Sequence, residues 1–170
     1  MKEISLKQFG DEYNFLNIEE DWAAAFADDG KEANALTIGW GSIGYLWSKP
    51  TITVYIHKER YSKHIFDNAE YFTVSIFKKP AYRKELQYLG SKSGRDEDKV
   101  KGCGLNVVKE ENYSYFDQAD YVIIAKKMGQ TDFEMDKIDP NLGFMNYYRK
   151  TNGVHTIYEG EIIKILKKEA

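Results

Sequence analysis

The sequence is poor in the residues that hold metals or form disulfides. Cys103 is the single cysteine among 170 residues, so a disulfide framework and a cysteine-rich zinc site are excluded. The three histidines, His57, His64 and His155, are scattered, with no HExxH motif and no carboxylate at metal-ligand spacing. We therefore expect no metal site built from protein side chains.

Long apolar runs and a strong excess of one charge are also missing. No run approaches the roughly 20 residues that span a bilayer, and the first residues, MKEISLKQFGDEY, contain no apolar signal core. The formal net charge is −3, with basic residues interspersed among acidic ones, so no general field attracts nucleic acid. We expect a single cytoplasmic domain over residues 1–170, with neither a nucleic acid nor a membrane as partner.

Aromatic residues are the one compositional excess. Thirteen Tyr, nine Phe and three Trp make up 15% of the chain. That content indicates either an aromatic-rich core or a large buried interface, and composition does not separate the two.

Apolar residues alternate with polar ones through the middle of the chain. The segments TITVYIH (51–57) and YFTVSIF (71–77) both have period two, which predicts strands. WAAAFA (22–27) and NALTIGWG (34–41) flank DDGKEA, whose Asp-Asp-Gly supplies the left-handed residues of a hairpin turn.

The C-terminal third is rich in β-forming residues as well. DYVIIAKKMG and TIYEGEIIKIL predict two more strands, with Gly160 as a bulge in the second.

Helical patterns are short and few. ERYSKHIFDN (59–68) and PAYRKELQYL (80–89) each place apolar residues on one stripe, and the second has Pro80 in its first turn and ends before Gly90. Ser93 and Asp96 form a capping-box-like pair that predicts a helix starting near Arg95. Many short strands with few helices favour a β-dominated barrel over alternating parallel β/α units.

The string GWGSIG (39–44) matches the GxGxxG dinucleotide fingerprint, yet its context argues against that function. The fingerprint requires a helix at this point and a crossover of about 10 to 12 residues before the next parallel strand. Only YLWSKP separates Gly44 from TITVYIH. We therefore interpret these glycines as a bulge, a bend, or a place where a flat ligand approaches the backbone.

Several blocks, in order, resemble the flavin reductase-like family of FMN-binding split-barrel proteins. They are NALTIGWG, WSKP, RY, FTVS, SGRDEDK and a histidine shortly before GEI, and the resemblance covers about residues 20–165. It implies a mainly β, split Greek-key barrel with a few short helices, forming a homodimer with FMN bound non-covalently near the interface.

The resemblance also implies which residues contact the cofactor. Thr37 to Trp40 would lie against the flavin ring, the segment from Ser91 to Lys99 would face the phosphate, and His155 would lie on the nicotinamide or substrate side. The cofactor-binding residues implied in this way are Asn34, Thr37, Ile38, Gly39, Trp40, Trp47, Lys49, Arg60, Tyr61, Ser75, Ser91, Ser93, Gly94, Arg95 and Lys99.

Taken singly, the same residues have ordinary structural explanations. Trp40 and Trp47 suit core or interface packing, Arg60 suits a solvated charge, and Ser93 suits a helix cap. A helix N-terminus also attracts anions, so the cap and the phosphate site are compatible.

The resemblance predicts a flavoprotein that passes electrons from NADH or NADPH to a second acceptor, with no catalytic side chain. A non-enzymatic FMN electron carrier that serves a protein partner is the alternative. A β-barrel binding module without flavin is a third hypothesis, which the acidic balance disfavours.

Overall fold

The computed structural model describes residues 1–169 as an antiparallel sheet with short helices on its margins. The strands are β1 (Lys2–Ile4), β2 (Ala23–Asp28), β3 (Ala33–Ile38), β4 (Gly41–Leu46), β5 (Lys49–His57), β6 (Tyr71–Ile76), β7 (Val107–Lys109), β8 (Ser114–Phe116), β9 (Tyr121–Asp132) and β10 (His155–Lys167). The helices are α1 (Leu6–Glu12), α2 (Ile18–Asp21), α3 (Lys63–Asn68), α4 (Arg83–Ser91), α5 (Lys99–Gly102) and α6 (Met145–Thr151), with single 3₁₀ turns at Phe15–Asn17 and Met135–Lys137. The expected mainly β fold with short helices is confirmed.

The main sheet has the strand order β3-β2-β6-β9-β10-β5-β4, and β1 pairs with the end of β10 on the edge opposite β9, beyond the part that pairs with β5. All of its pairings are antiparallel. β3 and β4 are the two ends of this order, yet only Gly39 and Trp40 separate them in sequence. A link this short spans only about 10 Å, so the sheet must curl until its two edges approach each other.

The curled sheet is not closed. Among residues 1–169, β3 pairs only with β2 and β4 only with β5, which leaves a seam between the two edge strands. Gly41, the first residue of β4, packs against β5, where an added Cβ would lie 2.9 Å from the carbonyl oxygen of Thr53. The resemblance implied a split barrel, and in the described residues the sheet is open along this line.

The hairpins follow the sequence predictions. In the β2–β3 turn, Asp28 accepts a hydrogen bond from the amide of Gly30, whose φ is 84°. After Gly39 and Trp40 the chain runs directly into the antiparallel β4–β5 hairpin, so no helix follows GWGSIG and the rejection of a dinucleotide fingerprint is confirmed.

Gly160 lies at a register shift between β10 and β9, as predicted. An added Cβ there would lie 2.7 Å from the ring of Phe72 and 2.8 Å from Cβ of Ala125. Glycine is thus required for close packing at this bulge as well as for its backbone geometry.

Alternate residues of each central strand pack on opposite faces of the sheet. Ala23 and Ala25 of β2 belong to the core enclosed by the curl, whereas Ala24 and Phe26 belong to a second core under α4 and β8. Because successive side chains point to opposite faces, a strand buried on both faces is a continuous apolar run, as AAAFA is in β2. Two buried layers hold the central strands in place, and the cavities described below open at the ends of β3, β5 and β10.

Three helix predictions need correction. The helix expected over 59–68 begins only at Lys63, after turns. The helix expected over 80–89 spans Arg83–Ser91 and continues through Gly90. Gly90 packs against Thr37, since a Cβ added to Gly90 would lie 3.2 Å from Cβ of Thr37. The absent side chain lets α4 approach β3, so Gly90 serves packing and not termination.

The helix predicted to start near Arg95 is wrong. The Ser93 hydroxyl accepts a hydrogen bond from the amide of Arg95, but it closes a turn rather than a helix. The following helix, α5, begins at Lys99 and is capped by Asp98, which accepts from the amide of Lys101. Within residues 1–169, no helix has the length and apolar character needed to cross a membrane.

Candidate functional site

Two adjoining cavities open where β3 and β5 end and β10 begins. The first, the aromatic cavity, measures about 320 Å³ and is lined by residues of β3 and its following link, by Tyr55, and by Phe144. The second, the cationic cavity, measures about 260 Å³ and is lined by residues 59–62 and 91–99. His57, Arg60 and Tyr147 line both, so the two cavities form one elongated depression.

The aromatic cavity is bordered by a cluster of aromatic rings in contact with one another. Trp40, half exposed, lies edge-on to Phe144 with ring centroids 5.2 Å apart, and its ring centroid is 5.7 Å from that of His155. Phe144 in turn contacts Tyr147 at 5.1 Å. Partly exposed rings around a cavity suit a flat aromatic ligand, because stacking would cover apolar surface that water now contacts.

Two histidines form the inner end of this cavity. His57 and His155 are cross-strand partners in β5 and β10, and their ring centroids are 5.1 Å apart. Burial, reinforced by the nearby His57 and Arg60, lowers the pKa of His155 to about 4, so its imidazole is neutral at physiological pH. Nδ1 of His155 lies 2.8 Å from the hydroxyl of Tyr148.

Helix α6 and the residue before it, Phe144, contribute to the lining of the cavity. Met145 and Tyr148 are buried beneath the helix, and Tyr147 lines both cavities. The helix ends at Asn152, which has a left-handed φ of 46°, and at Gly153, where an added Cβ would lie 2.8 Å from Cε1 of His57. The tight reversal returns the chain to the start of β10 at His155.

Two arginines enter the cationic cavity without carboxylate partners. Arg60 donates to the carbonyl oxygen of Gly90 at 2.9 Å, and Arg95 donates to that of Glu59 at 3.1 Å. Within residues 1–169 neither guanidinium forms a salt bridge, whereas the neighbouring Lys92 pairs with a glutamate at 3.3 Å. Most donors of both arginines therefore remain free for an anion.

Lys99 is the least ordinary cation of the group. Its residue is only 4% exposed, and its ammonium donates to the carbonyl oxygen of Leu89 at 2.9 Å without forming a salt bridge in the described part of the chain. Burial, with a smaller contribution from Arg60, lowers the pKa of Lys99 to about 8. An uncompensated buried charge is costly, so its presence indicates an anionic ligand.

Two buried polar groups near these cations lack partners within residues 1–169. The Ser62 hydroxyl, in a residue only 1% exposed that lines the cationic cavity, has no hydrogen bond, and neither has Nδ2 of Asn34. Gly94 packs against the same region, since an added Cβ would lie 2.4 Å from the ring of Tyr61 and 2.6 Å from Nδ2 of Asn34. Unsatisfied buried groups of this kind often complete their hydrogen bonds with a ligand or water.

Most of the site residues predicted from the sequence lie together around this depression. The aromatic cavity is lined by four of them in sequence, Thr37, Ile38, Gly39 and Trp40, and by His155; the cationic cavity by Tyr61, Ser91, Ser93, Arg95 and Lys99; and both by Arg60. Asn34 and Gly94 line a neighbouring cavity together with Tyr61 and Lys99.

Three predicted residues lie elsewhere. Ser75 is fully buried on the outer face of the sheet, where its hydroxyl accepts from the amide of Phe116 and ties β8 to β6. Trp47 is 73% exposed at the tip of the β4–β5 hairpin, and Lys49 pairs with Glu161 at 2.8 Å. None of these three side chains lines either cavity of its own chain.

Sequence reasoning missed several lining residues. Ser62 follows Arg60 and Tyr61 directly, so its position next to a predicted contact was an available signal. His57, Tyr55, Phe144 and Tyr147 carry no motif, and only the aromatic run before Asn152-Gly153 marks α6 as a helix with an apolar side.

Comparisons with family models and with curated protein sequences find no match for this chain. Solved structures do resemble it. Flavoredoxin from Methanosarcina acetivorans superposes with a TM-score of 0.67 at 19% identity, covering 88% of this chain and 69% of that one. Flavoredoxin of Desulfovibrio vulgaris (Miyazaki F) gives 0.64 at 24% identity, with the same coverages of 88% and 69%.

A third similar structure is the NADH:FAD oxidoreductase of Streptomyces globisporus, solved in complex with NAD and FAD fragments. Its TM-score is 0.63 at 15% identity, and the match covers 86% of this chain and 74% of that one. These likenesses show the fold, which is that of the flavin reductase-like FMN-binding proteins. The fold that the sequence blocks implied is thereby confirmed.

Proposed function

We propose that the protein binds FMN non-covalently and accepts a hydride from NADH or NADPH, passing the electrons on to a second acceptor. The observation that carries this proposal is the unpaired cationic group of Arg60, Arg95 and Lys99 directly beside an aromatic cavity. FMN has the matching form, a flat heteroaromatic ring joined by a short polar chain to a phosphate.

The cationic cavity suits the phosphate end. A flavin phosphate is a dianion at neutral pH and requires cations and oriented donors. Arginine binds phosphate bidentately, and both arginines have free donors. Ser62 has a hydroxyl without a partner in the described chain. The phosphate would also offset the positive charge of Lys99, which is buried and has no counter-charge within residues 1–169.

The aromatic cavity suits the ring end. Gly39 leaves backbone accessible between Ile38 and Trp40, and Trp40 and Phe144 supply adjoining rings in edge-on contact. When bound, the flavin supplies the redox chemistry. The chain then needs to orient the ring, exclude water through α6, and offer hydrogen bonds to polar ring atoms.

The nicotinamide donor is supported by the Streptomyces globisporus structure, which is named an NADH:FAD oxidoreductase and contains NAD and FAD fragments. The two flavoredoxins support the alternative, an FMN electron carrier that serves a protein acceptor. The two functions share one cofactor site and differ in whether NADH or NADPH reacts with it.

A homodimer is part of the proposal. Several large apolar side chains are exposed around the aromatic cavity and on the β4–β5 hairpin: Trp40, Tyr45, Trp47, Leu142 and Phe144. Exposed apolar patches of this kind mark interaction surfaces. Because Trp47 and Lys49 line neither the aromatic nor the cationic cavity of their own chain, contact between them and FMN would come from a second copy.

The phosphate assignment is tested with the Arg95→Ala variant. Charge-assisted hydrogen bonds contribute about 1.5–3 kcal/mol, so we expect FMN to bind roughly 10- to 150-fold more weakly. Riboflavin, which lacks the phosphate, should bind almost unchanged. Flavin fluorescence titration measures both constants.

The exposed Arg149 of α6 lines neither cavity, so Arg149→Ala is the matched control and should leave both constants unchanged. Equal losses for FMN and riboflavin in Arg95→Ala would contradict the phosphate role. Wild-type protein that acquires no oxidised-flavin absorbance on mixing with FMN would refute the flavoprotein proposal and favour the binding module without flavin.

Reductase and carrier are separated by anaerobic mixing of the FMN-loaded protein with NADH or NADPH. A reductase loses its oxidised-flavin absorbance within one turnover time. A carrier keeps its absorbance with both nicotinamides and loses it only with a reduced protein partner.

A further inference from the structure

One hydrogen bond in the aromatic cavity joins two groups that the proposed function leaves without a role. The Tyr148 hydroxyl lies 2.8 Å from Nδ1 of His155, and Tyr148 is only 7% exposed. The left-handed Asn152 turns the chain back between them, and the amide of Phe133 donates to the carbonyl oxygen of His155, fixing the start of β10. Both partners are therefore held by regular backbone structure.

The direction of this hydrogen bond follows from what else each group contacts. The phenolic proton of Tyr148 has no other acceptor within residues 1–169. If Nδ1 carried the proton and donated to the phenol, the phenolic proton would be buried without a partner, which is costly. Tyr148 therefore donates to Nδ1, and the single proton of the neutral imidazole resides on Nε2.

The neighbouring His57 differs from His155, because both of its ring nitrogens have hydrogen-bond partners. Its Nδ1 accepts from the amide of Glu59 at 3.3 Å, and its Nε2 lies 3.2 Å from the Thr151 hydroxyl. That hydroxyl donates to the carbonyl oxygen of Tyr147, so it accepts from His57. Both nitrogens of His57 are satisfied, whereas Nε2 of His155 has no partner in the described chain.

We propose that Tyr148 is a positioning residue that fixes the tautomer of His155, so that Nε2–H donates a hydrogen bond to a carbonyl-bearing heteroaromatic ring in the aromatic cavity. This inference rests on the proposed function for the identity of that ring. The tautomer of His155 does not depend on that identity, because a hydrogen bond within this chain sets it.

The tautomer is read by ¹H–¹⁵N NMR of histidine-labelled protein without flavin, with His155 assigned from the signals missing in His155→Gln. We expect a protonated Nε2 and a bare Nδ1 in the wild type, and a mixture of both tautomers in Tyr148→Phe. Tyr147→Phe, which removes the adjacent hydroxyl without touching His155, should preserve the wild-type pattern. A proton on Nδ1 in the wild type, or an unchanged tautomer in Tyr148→Phe, would overturn the positioning role.

The hydrogen bond to the ligand is read by titration with riboflavin, which carries the ring without the phosphate. A neutral hydrogen bond contributes about 0.5–1.5 kcal/mol, so Tyr148→Phe should bind riboflavin roughly 2- to 12-fold more weakly. A changed tautomer with unchanged riboflavin affinity would refute the donor role. Failure of the proposed function shows itself separately, as wild-type protein that binds neither FMN nor riboflavin.

Discussion

The aromatic and cationic cavities adjoin, but they satisfy their polar groups in opposite ways. In the aromatic cavity His57 is bonded through both nitrogens, and His155 is neutral and bonded to Tyr148. In the cationic cavity the side chains of Arg60, Arg95 and Lys99 donate hydrogen bonds to backbone carbonyl oxygens and form no salt bridge within residues 1–169. The polar groups of the first cavity are largely paired within the chain, whereas the cations of the second have no carboxylate partner in the described residues.

This difference determines which half of the site indicates the class of ligand that it binds. A satisfied aromatic wall accommodates many flat molecules, since stacking is tolerant of ring identity. Buried charge without a counter-charge favours one class of ligand, because an anion offsets the cost of its desolvation. The three predictions below test this contrast in decreasing order of expected effect.

The largest effect is expected from Lys99→Met, which keeps the length of the side chain and removes its charge. Loss of one partner from a buried, hydrogen-bonded charge pair costs about 2–5 kcal/mol, so FMN should bind roughly 30-fold to several thousand-fold more weakly. Riboflavin should bind as in the wild type. Isothermal titration calorimetry with both flavins measures the difference.

The same substitution should stabilise the flavin-free protein. The Lys99 pKa of about 8 is below the unfolded value of about 10.4, so burying the charged form costs stability below pH 8, and this cost declines between pH 8 and 10. Lys99→Met removes that cost and should raise the unfolding midpoint at pH 7. The exposed Lys101 of α5 gives a control, Lys101→Met, which should change neither property. A lower midpoint in Lys99→Met together with unchanged FMN affinity would show that Lys99 is merely structural.

An intermediate effect is expected from Trp40→Ala in the aromatic cavity. Stacking of a heteroaromatic base on an aromatic side chain contributes about 1–3 kcal/mol, so FMN and riboflavin should both bind roughly 5- to 150-fold more weakly and by equal factors. Fluorescence titration of the two flavins gives the ratio. A loss confined to FMN would contradict the division of the site into a ring end and a phosphate end.

The smallest effect is expected from pH. Below pH 8 Lys99 is charged before binding, whereas above pH 8 FMN must bind with uptake of a proton, because the phosphate raises the pKa of the ammonium. FMN affinity should therefore fall by up to about tenfold per pH unit above pH 8, while riboflavin affinity stays level. A flat FMN profile from pH 7 to 9.5 would contradict phosphate contact by Lys99.

The sheet and half of the site followed from the sequence because their signals are local or repeated. Period two fixed the two faces of β5 and β6, and Asp28 to Gly30 marked the β2–β3 hairpin. Arg60 is far in sequence from Arg95 and Lys99, and only the ordered blocks of the family resemblance brought the three together. Charge alone did not distinguish them from the many solvated lysines of this chain.

The remaining features depend on tertiary contacts. Ser93 and Asp98 are both good cap residues, and the choice between them follows from where Lys99 is held against Leu89. Ser75 points away from Val74 as its alternation predicts, but only the fold shows that β8 covers it. Helix α6 has seven residues, too few to form without the cavity and β10 beneath it.

The seam between β3 and β4 places the site on a line of the sheet that backbone pairing does not restrain. The aromatic cavity is lined by β3 on one side of this line and by β5 and β10 on the other, and within residues 1–169 no ladder joins β3 to β4. Local opening costs least where backbone hydrogen bonds are fewest, so the pocket is among the first parts of the sheet to open. A ligand that binds across the seam would hold β3 and β4 together. It would slow the opening of the sheet, which has no backbone ladder between these two strands within residues 1–169.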